Sequence, residues 1–194
     1  MRFDKLFEDL EGQLETELAA QGAAREAEEE RLRLARLTLR ERLSTLAGLG
    51  SGIRAQLVDG SVLSLTPGTV GKDWFSADLA DAGACIVRLD AVTALSLTLE
   101  QARASSERMP PSGAAREALA ARIGVGVPLR DLARRRVPVD VFALGHAVPV
   151  HGTIDRVGAD HLELAVHERG AARRARAVTE LRLIALSALA RVAV

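Results

Sequence analysis

The chain has 194 residues, enough for one large or two small domains, and its 48% hydrophobic and 27% charged content is a globular balance. Its 26 basic and 26 acidic residues cancel, so no global field drives it onto nucleic acid or membrane. One cysteine, Cys85, excludes an intramolecular disulfide.

The cancelled charge hides a polarity along the chain. Residues 1–50 carry 8 bases and 11 acids, residues 51–99 carry 3 and 5, and residues 100–194 carry 15 and 10. Met1-Arg2-Phe3-Asp4-Lys5 leads into acidic amphipathic sequence rather than the apolar core of a signal peptide. No stretch approaches the ~20 apolar residues that span a bilayer. The expected location is cytoplasmic, with no membrane contact.

Residues 4–47 read as helix, free of proline and rich in Leu, Ala, Glu and Arg. Phe3, Phe7, Leu10, Leu14 and Leu18 follow a three-four spacing, and a second stripe runs Leu32, Ala35, Leu39, Leu43, Leu46. Gly12, Gly22 and the acidic run 26–30 interrupt the pattern, which predicts two segments with a break near Gly22. Ala47-Gly48-Leu49-Gly50 predicts the stop. The stripes suit either a coiled coil between two chains, through Leu10, Leu14, Leu32 and Leu39, or packing on the rest of the same chain.

From Ile53 the period changes to two, as in a half-buried strand. Strands are predicted at 53–57, 61–66, 74–79, 85–89 and 92–97. Asp59-Gly60 and Pro67-Gly68 are read as turns between them. Five short strands in under fifty residues predict a small closed or nearly closed barrel. Residues 101–113, with Ser105-Ser106 and Met109-Pro110-Pro111, have linker chemistry. Helices are predicted at 114–123 and 129–136.

The strand rhythm then repeats. Val70-Gly71-Lys72-Asp73 aligns with Val157-Gly158-Ala159-Asp160 at an offset of 87, and residues 86–92 align with 183–189 at an offset of 97. The second copy therefore carries about ten extra residues, placed in an arginine-rich hairpin around 167–179. The recurring glycine predicts a sharp or positive-φ turn, held by an aspartate bonding the backbone two residues on. The expected fold is α+β: a charged amphipathic helix at 1–50, a five-stranded antiparallel barrel at 51–99, a linker with a short helix at 100–128, and a second barrel with its preceding helix at 129–194.

The order of helix, strand, Asp-Gly turn, strand, Val-Gly-x-Asp and three further strands resembles Sm-like and SH3-like small barrels. The whole layout also resembles a group of uncharacterised actinobacterial proteins, sometimes labelled Fis-type transcriptional regulators. Phe3-Asp4-Lys5-Leu6-Phe7, residues 31–42 and Gly152-Thr153-Ile154-Asp155-Arg156-Val157-Gly158-Ala159-Asp160 carry that likeness. The chain departs from both patterns. Residues 157–164 lack the Asn that Sm proteins use on uridine-rich RNA, and 180–194 read as strand where a Fis-type region has a helix-turn-helix.

Two clusters, Arg134-Arg135-Arg136 and Arg173-Arg174-Arg176, could together grip phosphates. Aromatic residues for base stacking are scarce: Phe3, Phe7, Trp74, Phe75 and Phe142. His146, His151, His161 and His167 have spacings of five, ten and six, which match no metal motif. Cys85 sits among apolar neighbours, as an inert buried thiol does. No phosphate-cradling loop, nucleophile elbow or dinucleotide fingerprint is present. The expectation is a non-catalytic binding or scaffold protein without cofactor, metal site or catalytic residues. Its partner would be another protein, or a second copy through the N-terminal helix. The alternative is a nucleic-acid-associated protein using the six arginines.

Overall fold

The computed structural model describes residues 2–80, 83–107, 114–146, 148–170 and 177–194, with side chains described outside 2–10 and 114–116. The chain forms two compact units that divide between Thr38 and Leu39.

The first unit is α1 (Arg2–Arg36), which runs unbroken through Gly12 and Gly22. The expected break near Gly22 is thus displaced to Leu37-Thr38, where Leu37 N donates to Leu34 O at 3.2 Å. Each glycine costs only ~1 kcal/mol in a helix. Strong helix formers and the pairs Arg25–Glu29, Arg31–Glu28 and Arg33–Glu30 offset it. Thr38 stands at the N-cap position of the next helix, where its residue type is favoured.

The second unit opens with α2 (Leu39–Leu49) and continues through β1 (Ile53–Leu57), β2 (Val62–Val70), β3 (Trp74–Leu79), β4 (Ala84–Arg88) and β5 (Val92–Ser96). Three helices follow: α3 (Leu99–Ala104), α4 (Ala114–Ala120) and α5 (Gly126–Arg135). The chain ends with β6 (Pro138–Ala143), β7 (Val150–Val157), β8 (His161–Val166), β9 (Glu180–Ala185) and β10 (Leu189–Ala193). All ten strands belong to one antiparallel sheet, ordered β5-β1-β2-β3-β4-β10-β6-β7-β8-β9. This corrects the expectation of two separate barrels. Each repeat contributes five strands in the same order, but β4 and β10 pair, Val87 opposite Arg191 and Cys85 opposite Ala193, and join them into one open sheet.

The repeat is longer than its strands. At an offset of 86, Leu43 and Leu46 of α2 match Leu129 and Leu132 of α5, and all four are buried. At the same offset Gly50 matches Arg136, and both take the left-handed conformation that ends a helix, with φ of 61° and 55°. Each closes the same turn, Gly50 N to Ala47 O and Arg136 N to Ala133 O, both at 3.1 Å. The helix α2 therefore belongs to the first repeat rather than to a separate N-terminal helix over 1–50. Of the apolar stripe read on that helix, Leu43 and Leu46 fill the core over β1, β3 and β4, with Ile53, Phe75 and Val87.

Two turn readings change for physical reasons. Pro67-Gly68 does not end a strand, because β2 passes through it on a bulge between Pro67 and Val70. A bulge is where a sheet tolerates proline. Gly71 and Gly158 do not have positive φ. They are glycine because a Cβ would lie 2.1 Å from the Trp74 indole nitrogen and 2.7 Å from the His161 ring. The two aspartates do not close their turns with their side chains. Their backbone carbonyls accept from Leu89 N (3.0 Å) and Leu186 N (2.7 Å), anchoring the tight turn after β4 and after β9. The Asp73 carboxylate instead reaches across the chain and accepts from Val125 N at 2.8 Å, at the start of α5.

Of the expected linker at 100–128, the described residues are largely helical. Thr98 and Gln101 form a reciprocal cap on α3. Arg42 on α2 donates to Ser105 Oγ and Ala102 O, tying α3 to the first repeat.

Candidate functional site

The joint between the repeats shows what a free sheet edge in this protein lacks. On β4, Val87 points into the first repeat's core and Ile86 points the other way. Ile86 nevertheless is only 9% exposed, because it packs with Val192 of β10 in the second repeat's core. At the offset of 97, β9 is the counterpart of β4, with Leu183 in the place of Ile86 and Ile184 in the place of Val87. Ile184 is buried as expected, but Leu183 is 70% exposed and Leu181 is 66% exposed. Among the described residues β9 pairs only with β8, and β5, the counterpart of β10, only with β1. The sheet thus ends in two edges of the kinds that β4 and β10 bring together inside the chain. An edge with exposed leucines and unpaired backbone groups is a template for a further strand. Neither copy shows this contrast by itself. Its sequence signal is the pair Leu181 and Leu183 flanking Arg182, leucines on the side of the strand that should face water.

The arginines expected to grip phosphates are largely engaged where they are described. Arg134 and Arg135 both pair with Asp131 of the same helix, at 2.7 and 3.5 Å, and Arg136 pairs with Asp155 at 2.6 Å. Arg134 and Arg135 also occupy the last turn of α5, where cations suit the helix dipole. Arg173, Arg174 and Arg176 lie outside the described residues. Trp74 and Phe75 are buried, and Phe142 lies under a guanidinium, so none of these rings is a free stacking platform.

Of the four leucines expected to mediate self-association, Leu14 and Leu32 are exposed on α1. Leu10 is on the same helix, with its side chain outside those described. Leu39 opens α2 in the other unit and is also exposed, so the four do not share one helix.

Two of the four histidines come together on the second repeat. The His151 and His167 rings stand edge to face, 5.3 Å apart. His151 Nδ1 bonds Asp140 Oδ1 at 2.8 Å, and Arg169 donates to Asp140 Oδ2 at 2.8 Å. Burial pushes the Asp140 carboxyl up, but the hydrogen bonds from His151 and Arg169 outweigh it and hold the group below its usual range. His167 Nε2 lies 2.9 Å from Thr153 Oγ and its Nδ1 lies 3.0 Å from Glu168 O. The carbonyl can only accept, so Nδ1 carries the proton and Nε2 accepts from the threonine hydroxyl. This is the arrangement of a nucleophile and its base, but Thr153 is 1% and His167 4% exposed. The pair is sealed from any substrate and serves to satisfy polar groups across β7 and the end of β8. Among the described residues no three His, Cys, Asp or Glu side chains are grouped to hold a metal ion.

Cys85 lies in the first repeat's core, where burial pushes its thiol up to about 11. It is protonated at neutral pH and shielded, so an aromatic disulfide reagent is expected to titrate no thiol in the native protein and one per chain in denaturant. Stoichiometric reaction within minutes under native conditions would contradict the burial.

No helix among the described residues is long and apolar enough to cross a membrane. Comparison with protein-family models, with curated proteins and with solved structures finds no match for this chain.

Proposed function

We propose that this chain is a non-catalytic binding and scaffold protein built from two tandem five-stranded repeats of Sm-like or SH3-like strand order, joined in one sheet, which works by accepting a further strand at β9. The observation that carries this reading is the contrast between Ile86, 9% exposed, and its counterpart Leu183, 70% exposed. The strand that fits best is β5 of a second copy. It is the counterpart of β10, and Leu95 stands where Val192 stands. Following the β4–β10 register, Leu183 would sit opposite Leu95 and enter the core of the incoming repeat. The exposed Leu14 and Leu18 make α1 a second element of association.

Light scattering on the purified chain tests this. Wild type is expected to exceed the single-chain mass of 20.7 kDa as its concentration rises. Leu183→Lys or Leu95→Lys should return it to that mass. A single-chain mass for wild type at every concentration overturns self-pairing through the edges. A loss of mass with Leu14→Glu but not with Leu183→Lys assigns the association to α1.

The alternative reading, nucleic-acid binding, now rests on Arg173, Arg174 and Arg176, since Arg134, Arg135 and Arg136 have carboxylate partners. Anisotropy of labelled DNA and RNA across a salt series separates the two. The expected result is that replacing all six arginines by Gln leaves the titrations as in wild type. Salt-steep binding that disappears in that variant would put the nucleic-acid reading first.

A further inference from the structure

One buried cation in the sheet has no counter-ion within ion-pair distance among the described residues. Arg191, at the middle of β10, is 8% exposed, and its Nε is fully buried without a hydrogen-bond partner among the described residues. It stands opposite Val87 on one side and Phe142 on the other. Its Cζ lies 3.4 Å from the centre of the Phe142 ring, a close cation–π contact. Two carboxylates act on it from farther off, Asp59 and Asp140. Asp140 is committed to His151 and Arg169, and Asp59 Oδ1 accepts from the backbone N and the hydroxyl of Ser61. Burying a guanidinium without a partner is strongly unfavourable. A ring face recovers only part of that.

This guanidinium lines a cavity of about 340 Å³ between the repeats. One wall is the β1–β2 turn, Asp59-Gly60-Ser61, and the other is the mouth of the β6–β7 hairpin, with Phe142, Val148 and Pro149. The lining is mixed, with Asp59, Ser61 and His146 beside the apolar Phe142, Val148 and Pro149, and Arg191 is its fixed cation. Apolar walls with a few convergent polar groups are the usual form of a small-ligand site. Guanidinium selects carboxylate or phosphate because its planar fork meets two oxygens at once. Asp59 at the wall and Asp140 nearby make a doubly charged anion a poor fit, and the apolar surfaces favour a ligand with a hydrocarbon body. We propose that this cavity binds a small organic monocarboxylate, its carboxylate on Arg191 and its apolar body against Phe142, Val148 and Pro149. The site is independent of the edge-pairing reading, since every residue in it belongs to one chain.

The test is calorimetric titration of the full chain with benzoate, with benzamide as the uncharged isostere and inorganic phosphate as the compact oxyanion. Benzoate is expected to bind at least tenfold more tightly than either control and to raise the melting temperature progressively with its concentration, logarithmically above its Kd. Arg191→Met removes an unpaired buried charge while keeping the bulk, so it should fold with an equal or higher melting temperature and lose benzoate binding at least tenfold. Val148 is exposed, so Val148→Asp should fold as wild type and weaken benzoate at least fivefold by like-charge repulsion at the mouth. Absence of benzoate binding at 10 mM, roughly the weakest affinity of interest, overturns the proposal. So does equal binding of benzamide, preference for phosphate, or undiminished benzoate binding in Val148→Asp and Arg191→Met.

Discussion

Ile86→Ala is expected to destabilise the second unit by about 2–4 kcal/mol, while Leu183→Ala at the matching position changes it by less than about 0.5 kcal/mol. The two residues occupy the same place in their repeats, on the strand face turned away from their own core. What differs is the neighbour. Ile86 packs among Val192, Trp74 and Val139 in the second repeat's core, so truncating it removes buried methyl groups and leaves a cavity between the repeats. Leu183 is already 70% in water, so truncation removes little packing from the isolated chain. In a domain of this size the Ile86 variant should melt roughly 5–12 °C lower and the Leu183 variant within about 2 °C of wild type. The order reverses for association. Full burial of a leucine contributes about 1.5–3 kcal/mol, so Leu183→Ala should weaken self-pairing roughly ten- to a hundredfold. Scanning calorimetry at low concentration gives the first comparison and sedimentation the second. Equal melting temperatures for the two variants would mean that Ile86 does not couple the repeats.

The local parts of this fold were legible and the long-range parts were not. Residues 53–57 and 74–79 match β1 and β3 to the residue, because a period of two beside a turn has one simple reading. The recurrence of Val-Gly-x-Asp located the repeat, although not the reason for its glycines, which depends on where two rings pack. The start of α2 was hidden because Leu32, Ala35, Leu39, Leu43 and Leu46 keep one helical period across a break without glycine or proline. The true length of the repeat was hidden by Arg136, which takes a left-handed conformation where its counterpart is Gly50. Arginine there costs roughly 1–2 kcal/mol, and its ion pair with Asp155 offsets part of it. The joining of the repeats was the least legible feature. It depends on β4 meeting β10, strands about a hundred residues apart whose pairing leaves no local pattern. The engagement of Arg134 and Arg135 was readable in principle, since Asp131 precedes them by three and four residues.

Gly152→Ala is expected to be the most destabilising single methyl that can be added to the sheet, at about 3 kcal/mol or more. A Cβ at Gly152 would lie 2.4 Å from the carbonyl oxygen of Ala165 and 3.0 Å from its carbon. Those atoms are backbone of the neighbouring strand, held in register by the pairs Gly152–Val166 and Thr153–Ala165. The strands cannot part by the needed ångström without lengthening their own hydrogen bonds, and the move would also pull Thr153 from the buried His167 ring. Gly71→Ala collides with a side chain, yet that indole is buried and its Nε1 donates to Ile123 O at 2.9 Å, so a cost of about 2 kcal/mol is expected. Gly158→Ala meets the His161 ring, whose side chain is 41% exposed and can swing outward, so about 1 kcal/mol is expected. Gly12→Ala on α1 meets nothing within 4 Å and should favour the helix by roughly 0.5–1 kcal/mol. Chemical denaturation of the four variants checks the ranking. The decisive outcome is the order 152, 71, 158, because each step replaces a fixed obstacle by a more yielding one. A Gly152→Ala protein as stable as Gly158→Ala would show that β7 and β8 do not approach as closely as their paired backbones require.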